Sequence, residues 1–271
     1  MCVKFILGGV IMKQDREKFE YYYTYENDEN LRGHRNNQGI IEFLTTEKYM
    51  KQVIPANSKI LDACAGCGVY SFFLAEQGHI VTSGDFVEHN INEIKKKQAE
   101  KPILHDIYLG SATDLSRFCD DSFDIVLNMG AYYHITNKDE REKSIAECLR
   151  VLRPEGLFFL AYLNKFSNIV GYHEKWIEDF DSVEKVLERG FINDESLFYQ
   201  STPEEIENVI SHYGLKLLHN IGTDGFKATV KETLNNMNEE QFNRYMSYHF
   251  QICEIKSILG HSEHALAICK K

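Results

Sequence analysis

From Ser58 onward, short apolar runs alternate with amphipathic segments, and this alternation restricts the fold more than any other feature of the chain. The runs KILDAC (59–64), HIVTSGD (79–85), ILHDIYLG (103–110), FDIVLNMG (123–130) and GLFFLAYL (156–163) read as strands. Residues 69–77, 88–99 and 138–152 read as helices between them, the last with Ile145, Leu149 and Leu152 at helical spacing before the stop RPEG. Strands alternating with helices predict an α/β fold, a mostly parallel sheet covered by helices. A further helix opens at Thr202-Pro203-Glu204-Glu205, with Ser201 or Thr202 as N-cap, proline in the first turn and acids at the positive end of the dipole. It ends at Tyr213-Gly214, and LKLLHNIG (215–222) and HALAICK (264–270) read as late strands.

Three segments stand outside the alternation: 1–57, about 164–200 and about 224–261, all helical and aromatic in character. Because the alternation itself is continuous, a single domain is expected. Its parts are an N-terminal helical lid (1–57), a ligand-binding core (58–163) and the remainder of the core (164–271) carrying two helical cap insertions.

The turn Asp62-Ala63-Cys64-Ala65-Gly66-Cys67-Gly68 joins the first strand to a helix. Glycines there let the backbone approach a ligand closely, and the helix N-terminus offers unpaired N–H groups. Seventeen residues beyond Gly68, Asp85 ends the next strand, where a carboxylate can accept both hydroxyls of an adenosine ribose.

With these residues the chain resembles a class I S-adenosylmethionine (SAM) dependent methyltransferase of the small-molecule type. LDACAGCG is similar to the family's first motif, VTSGDF to its second-strand acid, LGSATDL and DDSFDIVLNMGAYYHI to its third and fourth, and LRVLRPEGLFFLA to its fifth, together covering about 58–163. EFLTTEKYM, TDGFKATV and HALAICKK also resemble segments of an uncharacterised bacterial subfamily. The resemblance implies a Rossmann-like seven-stranded sheet of order 3-2-1-4-5-7-6, flanked by helices, with the last strand antiparallel. It implies SAM as cofactor, S-adenosylhomocysteine (SAH) as product and no metal.

It also implies site residues. Asp62, Ala63, Cys64, Gly66 and Gly68 shape the loop against the methionine part of SAM, and Asp85 holds the ribose. Phe86 lies along the adenine, Ser111 and Ala112 edge it, and the backbone at Asn128 and Met129 meets the methionine ammonium. Two departures stand out: Cys64 replaces the first glycine of DxGxGxG, and Ser111 stands where many members have an Asp. A side chain at position 64 implies that positive φ is not needed there. Asp114 is either a helper at the adenine or the cap of the next turn.

His134 and its neighbours Tyr132 and Tyr133 follow the fourth strand, at the sheet end where open α/β folds place ligands. His134, with Tyr133, is a candidate for deprotonating an acceptor hydroxyl or amine, and equally for ordering the loop. Tyr21, Tyr22, Tyr23 and Tyr25, ahead of Arg32, His34 and Arg35, form either a lid over SAM and acceptor, with Tyr23, Tyr25 and Arg32 as substrate and lid candidates alongside Tyr132, or a packed amphipathic helix. Phe242, Tyr245, Tyr248 and Phe250 read as core, and the single Trp176 suits either role.

Cys64 and Cys67 form a CxxC, but no second pair follows and both lie inside the glycine turn, which favours small loop residues over redox or zinc chemistry. A nicotinamide-binding GxGxxG would need glycine at Ser71. Seven scattered cysteines suit reduced thiols in a cytosol. The opening MCVKFILGGVIM is too short for a membrane span and has no cleavage pattern, and Met12 is an alternative translation start, because MKQDREKFEYYYTYE reads as the opening of a soluble helix and residues 1–11 match nothing after them.

Charge argues against a nucleic-acid partner. Thirty Lys and Arg stand against 41 Asp and Glu, a net charge of -11. Residues 1–57 hold 8 basic and 8 acidic side chains, 58–163 hold 11 and 16, and 164–271 hold 11 and 17, so no region carries the surplus that phosphates require. Lys95 to Lys97 read as a solvated helix face. The expected activity is methyl transfer to oxygen or nitrogen of a small metabolite or natural product, with a catalytically inactive SAM-binding protein of the same fold as the alternative.

Overall fold

The computed structural model describes residues 16–26, 30, 36–167, 178–193, 195–227 and 229–271. The start of the chain, Arg32, His34, Arg35 and Trp176 lie outside the described residues. An eight-stranded sheet forms the centre, in the order β3-β2-β1-β4-β5-β8-β7, with β6 paired to β5 beside this path. The strands are β1 (Lys59–Asp62), β2 (Ile80–Asp85), β3 (Asp106–Leu109), β4 (Phe123–Asn128), β5 (Leu152–Asn164), β6 (Gln200–Ser201), β7 (Lys216–Gly222) and β8 (His264–Lys270). Leaving β6 aside, this is the expected order, and β8 runs antiparallel to both of its neighbours.

Helices cover both faces. Helical residues 16–21 continue into the π turn Tyr22–Glu26 and together form α1; α2 is Asn37–Val53, α3 Val69–Glu76, α4 Glu88–Glu100, α5 Ala131–His134 and α6 Lys138–Val151. Alternate strand residues serve opposite layers. Leu61, Val126 and Phe158 pack in one layer with Ile145, Cys148 and Val151 of α6. Ile60, Ile125 and Phe159 pack in the other with Met50, Leu74 and Ile94. Burial on both faces accounts for the unbroken apolar runs of β4 and β5.

Two expectations are corrected. RPEG does not separate α6 from the fifth strand; it lies inside β5, where pairing with β4 shifts between Phe123 and Ile125 and Glu155 takes φ 64°. β6 is an eighth strand that no sequence pattern signalled, because two residues carry no periodicity. The helix Pro203–His212 is capped by Thr202, with the reciprocal Glu205 bond completing a capping box. The segments that stood outside the alternation supply α2, Phe180–Arg189, Lys231–Asn235 and Glu239–Ile252, and Ile41, Leu234, Phe242 and Met246 from three of these form a separate small core.

TDGFKATV and HALAICKK meet in space. The buried Asp224 carboxylate accepts from Ser262 Oγ at 2.6 Å, His264 Nδ1 at 2.8 Å and Lys227 Nζ at 2.9 Å, tying the end of β7 to the start of β8. Although burial acts to raise its pKa, the Lys227 ammonium and the His264 bond hold this carboxyl well below the usual range. Among the described residues no helix is long and apolar enough to cross a membrane.

Candidate cofactor and acceptor site

The carboxyl ends of β1, β2 and β4 open into a cavity of about 400 Å³, within the range of roughly 300–1,000 Å³ usual for small-molecule sites. The glycine turn forms its floor. Gly66 takes φ 54° and Gly68 φ 82°, and a Cβ on Gly68 would lie 3.0 Å from Ile94. Cys64 is not among the positive-φ residues, so a side chain is tolerated there. The Cys64 sulfur instead fills the space beside Gly130, where an added Cβ would collide with it. None of the six described cysteines is in a disulfide, and Cys67 is turned towards Asn90 of α4. Lys97 is not simply solvated; its Nζ donates to Cys67 O at 2.8 Å and holds the turn from α4.

Asp85 joins the turn to the second strand. Its Oδ2 accepts from Gly66 N at 2.8 Å, and its Oδ1 from Val87 N at 2.8 Å and Asn90 Nδ2 at 3.1 Å. Asp62, also buried, accepts from Ser71 Oγ at 2.7 Å. Burial, with the Asp85 charge adding to it against the Ser71 bond, pushes the Asp62 carboxyl up to about 7.

Asp62, Ala63, Cys64, Gly66, Asp85, Phe86, Ser111, Ala112, Met129, Tyr133, His134 and Tyr23 all line this cavity. Gly68 lies behind the turn, outside the wall. The Asn128 side chain is buried away from it, accepting from Tyr132 N at 3.1 Å, and Tyr132 is buried with its hydroxyl 3.4 Å from Ser201 Oγ. Tyr25 is 75% exposed and does not reach the cavity. Ser111 Oγ accepts from Thr113 N at 3.1 Å, while Asp114 accepts from Ser116 N and caps the next turn.

His134 joins three segments. Its Nδ1 lies 3.0 Å from Leu197 O and its Nε2 2.6 Å from the Tyr23 hydroxyl. A carbonyl only accepts, so Nδ1 carries a proton, and when the ring is neutral Nε2 accepts from Tyr23. The α1 helix is fixed a second time by Glu20, whose carboxylate accepts from the Glu88 and His89 N–H groups of α4. Val87, the N-cap of α4, has no capping side chain of its own, so Glu20 fills that role.

Several cavity residues carried no signal in the sequence. Ser196 and Leu197 come from an irregular stretch, and Phe19 and Lys18 from the turn of α1 before the tyrosines. Gly130 also lines the cavity and is not among the expected site residues, although its place in NMG after β4 is a signal that could have found it.

Donor chemistry and shape together fit SAM: a strand-end carboxylate, a glycine turn, an aromatic ring at Phe86 and small residues at 111 and 112 share one cavity. Residues 61–160, 100 of the 271 residues, match the model of the methyltransferase domain family. The chain is 36% identical over 126 residues to demethylmenaquinone methyltransferase of Leptospira interrogans, covering 45% of this chain and 48% of that protein. It is 29% identical over 164 residues to ubiquinone biosynthesis O-methyltransferase of Agrobacterium fabrum, covering 60% and 62%. The chain thus spans about half to three fifths of the length of these curated relatives. A crystal structure of Burkholderia thailandensis 1,6-didemethyltoxoflavin-N1-methyltransferase, with bound 1,6-didemethyltoxoflavin and SAH, superposes with a TM-score of 0.59 at 15% identity, over 100% of this chain and 91% of that one. This last likeness is one of fold.

Proposed function

We propose that this protein transfers a methyl group from SAM to oxygen or nitrogen of a small organic acceptor. The observation that carries the reading is the Gly66–Asp85 bond, which joins the glycine turn and the strand-end acid in the cavity that the rings of Tyr23, Tyr133 and His134 also line. In this reading Asp85 holds the ribose, Phe86 the adenine face, Ser111 and Ala112 its edge, and Asp62, Gly66 and the Met129 backbone the methionine end. SAM supplies a methyl group already activated on a sulfonium. The chain's own part is to align the acceptor and exclude water, and such alignment can lower a barrier by roughly 7–11 kcal/mol.

α1 and the stretch 195–199 close over the acceptor side and act as the lid and cap. The wall carries Asp62, Asp85, Asp139 and Glu140 against Lys18, whose ammonium is 2.7 Å from Glu195, which suits neutral or cationic ligands and not nucleic acid. Quinone and toxoflavin precursors, named for the relatives, are small organic acceptors of this kind.

Thermal denaturation with SAM or SAH tests the reading. At a ligand concentration a hundredfold above Kd, stabilisation of about 2.7 kcal/mol is expected, a melting shift of several degrees. No shift with either ligand refutes it. A shift without methyl transfer to any of a broad acceptor panel favours a SAM-binding protein that has lost its chemistry.

A further inference from the structure

We propose that Tyr23 and His134 form a proton-accepting pair, and that the acceptor they serve is a planar aromatic ring bearing a hydroxyl; this rests on the methyltransferase reading above. The pair is built from two segments 111 residues apart, which meet at 2.6 Å at the cavity wall. Leu197 O accepts the Nδ1 hydrogen bond, so that in the neutral imidazole the Nε2 lone pair is directed at the Tyr23 hydroxyl. This is the arrangement that activates a hydroxyl: a base within hydrogen-bond reach, itself oriented by a third group.

The surroundings indicate the acceptor. Ring centroids of Tyr133, Phe198, Phe19 and Tyr23 lie 4.7, 5.0, 5.1 and 5.9 Å from that of His134. Phe19, Tyr23 and Tyr133 also line the cavity, so the space beside the pair is walled by ring faces and edges that receive a flat ring. Asp139 and Glu140 on the same wall repel an acceptor that carries a permanent carboxylate or phosphate. A phenol enters neutral and becomes an anion only when its proton leaves. That proton passes to Tyr23 Oη as the Tyr23 proton moves to His134 Nε2. The acceptor oxygen keeps the electron pair of the broken O–H bond, and the imidazolium keeps both N–H groups bonded, to Leu197 O and Tyr23 Oη.

The probe is 4-nitrophenol, whose phenol and phenolate absorb differently, with 4-nitroanisole as the ring that lacks the proton. Both are titrated into the SAH-loaded protein at a pH where free 4-nitrophenol is mostly neutral. Wild-type protein is expected to convert bound 4-nitrophenol to the phenolate. Tyr23→Phe should lose that band and bind 4-nitrophenol about fivefold more weakly, the effect of one lost hydrogen bond, with 4-nitroanisole and SAH affinities unchanged. His134→Asn should lose the band as well, with SAH binding reporting that the fold is intact. The proposal is overturned if 4-nitrophenol does not bind while SAH does, if it binds without the phenolate band, or if Tyr23→Phe leaves both band and affinity intact. Failure of SAH to bind the wild type would instead remove the methyltransferase reading beneath it.

Discussion

The backbone N–H of Gly66 donates to the carboxylate of Asp85 at 2.8 Å, so the turn after β1 and the acid at the end of β2 are one structural unit. Asp85→Asn offers one acceptor oxygen where two now serve Gly66, Val87 and Asn90, and it sets an amide N–H₂ against a backbone donor. SAM affinity is expected to fall at least about tenfold, since charge-assisted bonds are worth roughly 1.5–3 kcal/mol each. Calorimetric titration with SAM checks this, and an unchanged Kd would remove Asp85 from the ribose.

Cys64 and Gly130 are complementary in shape: the thiol occupies the space that a side chain at 130 would need. Gly130→Ala should destabilise the protein by about 1–3 kcal/mol, the range of overpacked cores. Adding Cys64→Gly to Gly130→Ala should restore most of that loss. Urea midpoints of the two single variants and the double variant give the coupling, and simple additivity would mean that the residues do not press on each other.

Asp62 gives a pH dependence of definite sign. Its folded-state pKa of about 7 lies above that of an unfolded Asp, so the folded protein holds the extra proton between about 4 and 7, and stability from this group falls as pH rises through that window. Asp62→Asn should flatten that slope in urea titrations. A cationic ligand prefers the ionised form, so SAM should bind wild type more tightly at about pH 8 than at about pH 6, and equal affinities would place the methionine ammonium away from Asp62.

Asp224 acts in the opposite sense. Its pKa is depressed by Lys227 and the His264 bond, so its contribution is present above about pH 4 and lost as pH falls below, where the unfolded chain takes up the proton first. Asp224→Asn leaves the half-buried Lys227 with Glu263 at 3.4 Å and the His264 Nδ1 without its carboxylate, and should destabilise by about 3 kcal/mol at neutral pH. The acid limb of its stability curve should also be shallower, which urea midpoints at a series of pH values would show.

The sequence made the central sheet legible because its inner strands are buried on both faces: β2, β4 and β8 lie within a residue or two of their apolar runs. The Thr202 cap was legible because capping chemistry is local. The turn and Asp85 were legible because close backbone approach restricts residue type, and because a carboxylate at a strand end is what the proposed diol contact would require. What stayed hidden depends on tertiary placement. Tyr23 and Tyr25 are two positions apart, and one reaches His134 while the other is 75% exposed, because residues two apart on a helix lie on opposite sides and only tertiary docking decides which side faces in. Asn128 and Tyr132 sit beside the cavity in sequence and face away from it in space, engaged with each other. Ser196 and Leu197 reach the wall from an irregular stretch, where no periodicity could mark them.

Two carboxylates from distant parts of the chain share the first turn of α4: Asp85 takes the Val87 N–H, and Glu20 takes those of Glu88 and His89. Thermodynamic reciprocity follows from this sharing. Any ligand that steadies Asp85 and the start of α4 must favour docking of α1 by the same free energy with which docked α1 favours the ligand. A fragment bearing only the nucleoside half of the cofactor, with no atom near Tyr23, should therefore slow amide exchange in residues 16–26. The order in which the two ligands bind would then follow from helix capping, with the nucleoside end setting the rings that meet the acceptor.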